Sequence, residues 1–257
     1  MRIAESIAEE LRDRILASDG GDDDHLPTQD QLVREFGVSY PSVREAIRIL
    51  ETEGLVTVRR GKVGGAEVHR PDETSAAYHL GLALQGGRVT LGDLATGLQV
   101  LEPMCAGACA QRADRLETVV PALQANIEES AELIGAGPAF THVARDFHDL
   151  VVAWHPNDTI RTVVGSLVAL WSAQEERWAK ALASRDRYPS DLDMREVIKA
   201  HRRILREIEA GRAEKAEAAA RGHLVATQAF LVDRFDDGVV ASRSGGKGTK
   251  AAPNWRV

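Results

Sequence analysis

Two groups of side chains in this sequence have types and spacing that could do chemistry. The first is cationic. Arg44, Arg48, Arg59, Arg60 and Lys62 stand against only three acidic residues within residues 40–62 of a chain whose net charge is −7. A guanidinium can grip a phosphate or the edge of a guanine, and the hydroxyls of Ser39, Tyr40 and Ser42 beside it can bond to either. The second group is three imidazoles, His148, His201 and His223. Imidazole suits zinc, nickel or manganese, but the spacing of these three along the chain does not by itself bring them together. A polar pocket holding three histidines without a metal is the other reading.

The elements that must position the cations can be read from local pattern. Residues 2–18 place Ile3, Ile7, Leu11 and Ile15 on one stripe, which predicts a helix. Thr28 with Gln31 three positions later is a capping-box signature, and Gly37 is a natural stop, so a short helix is predicted over about 28–36. Ser39 as cap and Pro41 in the first turn open the next helix, over 39–52. There Val43, Ala46, Ile47 and Leu50 follow the i, i+3, i+4, i+7 rule, so that face must be buried. The opposite face, with Tyr40, Ser42, Arg44 and Arg48, is left outward. The period then changes to two. LVTVRR, GKVGG and AEV read as a hairpin with a glycine-rich tip, where Gly61, Gly64 and Gly65 would let backbone approach a partner closely. Helix, helix, turn, helix, hairpin is the order of a winged helix-turn-helix, whose third helix enters the DNA major groove.

Beyond residue 75 only helical patterns remain, predicted over about 76–85, 90–113, 116–134, 138–154, 157–183, 191–210 and 212–236. The fold class expected is therefore mostly α. A winged helix-turn-helix domain (residues 1–70) is followed by an all-α helical-bundle domain (76–237) and a Gly/Ser/Lys-rich tail (238–257) expected to be disordered. The three histidines lie on three separate helices of that second domain. His25, His69, His79, His142 and His155 have no such joint placement and are expected at the surface or in linkers. Trp171 and Trp178, seven apart on one helix, are expected to pack in the core or on a dimer face. Glu175 and Glu176 are expected to be solvated.

Composition limits the alternatives. The acidic balance argues against a chain that coats nucleic acid or membrane but leaves room for a local basic face. Cys105 and Cys109 are four apart on one helical face and read as small core residues, so no disulfide framework is implied and a reducing cytoplasm fits. No apolar run is long enough for a bilayer, and the charged N-terminus is no signal peptide. No nucleophile motif, P-loop or dinucleotide fingerprint is present, so no catalytic residue is assigned.

Residues 26–61, LPTQDQLVREFGVSYPSVREAIRILETEGLVTVRRG, resemble the GntR-family segment in which an LPSERELA helix leads to GVSR, VREAL, LEAEGLV and a basic wing. Arg44 matches the VRE arginine of that family. The resemblance implies DNA binding through Thr28, Ser39, Tyr40, Ser42, Arg44, Arg48, Arg59, Arg60, Lys62 and Gly64. Where the family often has arginine in the second helix and after GVS, this chain has Asp30 and Tyr40. An aspartate there would repel phosphate or accept from a cytosine amine, and Tyr40 could donate to phosphate or pack on a thymine methyl. LEPMCAGACAQRA, FHDLVVAWHPND and AHRRILREIEAGRAEKAEAAARGHL resemble the FCD ligand-binding domain of the FadR subgroup. That likeness implies a divalent ion on His148, His201 and His223. Two positions depart from it. Ala144 replaces the usual acidic ligand one turn before His148, where Asp146, roughly 200° around the helix, cannot substitute. Leu98 stands where an effector-binding arginine is common, so a less acidic or more apolar ligand is expected, with Trp154 and Trp171 possible neighbours.

The reading is a cytoplasmic, ligand-responsive repressor that binds a pseudo-palindromic double-stranded DNA operator as a homodimer and takes a small-molecule effector. The rival readings are a metal-dependent hydrolase with a winged-helix appendage and a winged helix that contacts protein.

Overall fold

Ile7, Leu11 and Ile15, spaced one helical turn apart, form the buried stripe of α1 (Ile3–Ala17). Ile3, on the same stripe but in the first turn, is 62% exposed. The helix packs on α3 (Tyr40–Thr52), whose Val43, Ala46, Ile47 and Leu50 are all buried. Burying Val43, Ile47 and Leu50 contributes about 1.5–3 kcal/mol each. Between them, α2 (Gln29–Phe36) contributes the fully buried Leu32. The start and stop of α2 are those the sequence predicts. Thr28 Oγ1 accepts from the Gln31 backbone N–H at 3.3 Å, and the Thr28 N–H donates to Gln31 Oε1 at 2.8 Å. Gly37 takes φ 63° at the C-cap, a left-handed conformation that glycine adopts without a Cβ clash. Ser39 precedes α3 but does not cap it, because its hydroxyl is engaged with Ser42 Oγ at 3.1 Å.

The computed structural model describes residues 3–18, 25–58, 66–69, 73–185, 188–235 and 238–241. Strands β1 (Val56–Val58) and β2 (Ala66–Val68) pair antiparallel, with Val56 opposite Val68 and Val58 opposite Ala66. The expected glycine-rich tip, with Arg59, Arg60, Lys62 and Gly64, lies outside the described residues. The chain divides into two compact units, Met1–Ser75 and Ala76–Val257.

In the second unit every described element is a helix: α4 (Glu73–Gly86), α5 (Leu91–Gln111), α6 (Val119–Glu132), α7 (Pro138–Ala153), α8 (Asp158–Ala183), α9 (Asp191–Glu209) and α10 (Ala213–Phe235). α10 lies against α5 and α9, and α7 lies between α6 and α8. The close α5–α10 approach depends on Gly107, since a Cβ there would collide with the Glu217 side chain. Cys105 and Cys109 are buried and free, and Trp171 and Trp178 meet edge-on inside the core with centroids 5.6 Å apart. Part of the expected tail is ordered. Val239 bridges to Thr90, the Val240 N–H donates to the Val89 carbonyl at 3.0 Å, and the Val240 side chain is fully buried. Residues 242–257 lie outside the described residues. No described helix is long and apolar enough to cross a membrane.

Candidate functional site

The three histidines occupy core positions of three different helices. On α7, His148 follows the buried Ala144 and Phe147 and precedes Val151 and Val152. On α9, His201 sits between Ile198 and Ile204. On α10, His223 continues the buried Ala216–Ala220 stripe. Amphipathic patterning thus carries each imidazole inward, and packing of the helices brings them together. They are 7%, 1% and 7% exposed, and one ligand atom from each lies within 4.8 Å of the others. His201 Nε2 and His223 Nε2 are 3.0 Å apart. The Phe147 ring stacks on His201 at 4.0 Å with planes 6° apart.

Two of these imidazoles, His201 and His223, are held neutral. Burial pushes the pKa of His201 well below its ordinary value, helped by His223, His148 and Arg145. Burial, then His148 and Arg145, lowers that of His223 to about 3. A neutral imidazole keeps the lone pair a metal needs. Glu102, on α5 and itself buried, meets His148 Nδ1 at 2.5 Å. A proton on Nδ1 given to that carboxylate leaves Nε2 as the ligand atom, the usual arrangement behind a metal-binding histidine. Two nitrogens bound to one ion at about 2.1 Å stand roughly 3.0–3.4 Å apart. The His201–His223 nitrogen spacing, the neutrality of those two rings and the Glu102 contact behind His148 therefore fit a divalent ion. Among the described residues no fourth His, Cys, Asp or Glu joins the group. Ala144 is buried one turn before His148 and offers only a methyl, while Asp146 is exposed.

A cavity of about 700 Å³ opens beside the histidines. Phe140, Leu182, Met194, Val197, Phe230 and Leu231 supply its apolar wall. Its polar wall includes residues that sequence reasoning missed. Arg145 donates from Nε and Nη2 to Ser172 Oγ at 2.9 and 2.8 Å, and its Nη1 pairs with Glu175 Oε2 at 2.6 Å. Thr141 and Tyr188 hydrogen-bond through their hydroxyls. Glu175 is thus a partner in a sheltered ion pair and not the solvated carboxylate expected, whereas Glu176 is at the surface with His142 and Lys180. Leu98, Trp154 and Trp171 are not on the cavity wall. Leu98 and Trp171 fill the core, and Trp154 lies under the Arg112 guanidinium. The one available signal for Arg145 was its place three residues before His148, on the same helical face.

On the first unit the outward side of α3 is as the pattern requires. Tyr40 is 47% exposed, Arg44 and Arg48 are exposed, and Ser42 is half-buried. Arg48 is engaged with Glu45 at 2.8 Å. Arg44 has no hydrogen-bond or ion-pair partner among the described residues. Thr28 and Ser39 are exposed, but Thr28 spends its hydroxyl on the capping box. Asp30 and Tyr40, which sequence reasoning treated separately, are bonded: Tyr40 Oη donates to Asp30 Oδ1 at 3.0 Å.

Comparison with known proteins agrees with both units. Residues 3–64 match the family described as bacterial regulatory proteins, gntR family, and residues 93–226, just over half of the chain, match the FCD domain. The HTH-type transcriptional repressors NanR of Citrobacter rodentium and of Escherichia coli are each 37% identical over 70 residues. That match covers 27% of this chain and 26% of the relatives, so it spans about a quarter of their length. The solved Streptococcus agalactiae GntR superposes over 88% of this chain and 99% of its own, with TM-score 0.63 at 19% identity, a likeness of fold. With an N-terminal GntR unit and an FCD domain behind it, the chain belongs to the GntR family of bacterial regulatory proteins.

Proposed function

We propose that this DNA-binding transcription regulator is a cytoplasmic, homodimeric repressor of the FadR subgroup. In this reading a divalent ion on His148, His201 and His223 and a small molecule in the adjoining cavity tune its grip on a pseudo-palindromic operator. One observation carries the reading: three buried imidazoles converge on the wall of a cavity large enough for a small-molecule ligand. The name of the NanR relatives supports repression. When bound, zinc, nickel or manganese would offer open coordination positions to a donor atom of the effector. The protein's own part is positional. Glu102 holds the proton on His148 Nδ1, Phe147 fixes the His201 ring, and the apolar wall excludes water from the ligand body.

A ligand regulates DNA binding only by its differential affinity for the DNA-competent and DNA-incompetent states. Arg44, Ser42 and the basic hairpin would meet each half-site, with half-sites about one turn of DNA apart. Two of the carboxylates beside the histidines and the cavity are already committed, Glu102 to His148 and Glu175 to Arg145, which weighs against the hydrolase reading. The test begins with selection of duplexes from a random-sequence pool by the full chain. Anisotropy titrations on the enriched duplex then follow, at several salt concentrations and with and without zinc, nickel or manganese. A palindromic consensus, an affinity that falls steeply with salt and two chains per duplex are expected. Failure to enrich any duplex would overturn the reading.

A further inference from the structure

The Asp30–Tyr40 hydrogen bond joins the first turn of α2 to the first turn of α3, and both residues are exposed. A lone carboxylate on a DNA-facing surface is a liability, because it repels every phosphate. This one is oriented. Asp30 Oδ1 accepts the phenol proton, and among the described residues Oδ2 has no hydrogen-bond partner. The Arg34 guanidinium is close by, donating from Nε to the Asp30 backbone carbonyl at 3.1 Å.

The phenol is changed by the same bond. Tyr40 has one hydroxyl proton, and Asp30 takes it. The pKa of the phenol is raised, first by that hydrogen bond and then by the carboxylate charge, so the proton stays in place at neutral pH. With its proton committed, Tyr40 Oη can only accept. The exposed edge of the pair therefore offers acceptors alone, Asp30 Oδ2 and Tyr40 Oη. In the major groove guanine shows two acceptors, N7 and O6, which such an edge would repel. Cytosine shows the N4 amine and adenine the N6 amine, which it would bind.

Resting on the DNA-binding reading above, we infer that Asp30 and Tyr40 act as one base-reading unit that selects an exocyclic amine, cytosine N4 before adenine N6, at one position of each operator half-site. Arg44 supplies affinity, and the pair supplies discrimination. Asp30 makes the contact, and Tyr40 both accepts and aims the carboxylate.

The full wild-type chain, Asp30→Ala, Tyr40→Phe and the double variant are each put through selection on duplexes with a random core. Affinities for the wild-type consensus and its single-base changes are then measured by anisotropy. Wild type is expected to prefer cytosine at one position by roughly 10-fold over guanine, the usual size of a good base contact. Asp30→Ala should lose that preference while the rest of the consensus stands. Tyr40→Phe should lose most of it, and the double variant should be no worse than Asp30→Ala. If Asp30→Ala keeps the same consensus and binds every duplex more tightly, the carboxylate is a repeller only and the inference fails. If Tyr40→Phe discriminates like wild type, the two residues are not a unit and it fails also. Loss of the DNA-binding reading itself looks different: wild type would then enrich no duplex, and Arg44→Ala would change nothing.

Discussion

The two sites of this chain present polar groups in opposite ways. On α3 the candidate DNA-binding side chains stand in water, and their neighbours Val43, Ala46, Ile47 and Leu50 hold the helix without them. In the helical unit the candidate ligands are themselves core residues, since His148, His201 and His223 fill space that apolar groups would otherwise fill. An exposed site can be edited without disturbing its scaffold. A buried one couples binding to stability, and its neighbours Glu102, Phe147 and Arg145 are coupled as well.

The largest effect that tests this contrast comes from His201→Ala. The ring is 1% exposed and stacked on Phe147. Its loss should lower metal affinity by more than about 100-fold, beyond what a supporting carboxylate contributes. It should also lower the unfolding free energy of the metal-free protein by about 2–5 kcal/mol through the cavity it leaves. Elemental analysis after loading with zinc, nickel or manganese reads the first, and urea unfolding with chelator present reads the second. A wild-type chain that takes up none of the three ions would break the metal half of the contrast.

Glu102→Gln should act more gently. The amide keeps the shape and can still meet His148 Nδ1, but it no longer stabilises the ring with a charge. Metal affinity should fall by about 10–100-fold. Competition against a chelator of known affinity measures this, and a change under two-fold would mean that the Glu102 contact does not tune the histidine. On the exposed side, Arg44→Ala should cost about 1–3 kcal/mol of operator binding while the unfolding free energy stays within about 0.5 kcal/mol. Equal losses in both quantities would erase the distinction between the sites.

The same contrast decides what was legible in the sequence. The first unit is written in local rules, with a cap at Thr28, a stop at Gly37, a buried stripe at 43–50 and a change of period at 55. Each can be recognised within a few residues of itself. In the second unit the helices were legible from their periodicity, but the contents of the site were not. Nothing near Glu102 in the sequence says that it meets His148, and nothing near Glu175 says that it is sheltered against Arg145 and not solvated. Those contacts depend on how α5 and α8 pack against α7, which periodicity does not specify. Trp154 and Trp171, possible neighbours of the ligand by sequence, do not line the cavity. The cavity wall is instead built from Phe140, Met194, Phe230 and other apolar side chains that no motif marked. The Asp30–Tyr40 bond was missed for the same reason on a smaller scale, because it joins two elements across a turn.

Thr28 is where the contrast can be sharpened most finely. The family resemblance puts it among the DNA contacts, and it is exposed, yet its hydroxyl and its N–H are both spent on Gln31. It is thus an exposed residue whose geometry is structural. Thr28→Ala should remove the cap of α2 and cost about 1 kcal/mol of stability, seen as a lower unfolding midpoint in urea. Operator affinity measured well below that midpoint should change by less than Arg44→Ala changes it, because α2 would still be held by the buried Leu32. The reverse outcome, full stability with a loss of affinity comparable to that of Arg44→Ala, would show that the hydroxyl leaves Gln31 for a phosphate when DNA arrives. Exposure, and not the hydrogen bond seen here, would then be the better guide to function on this face.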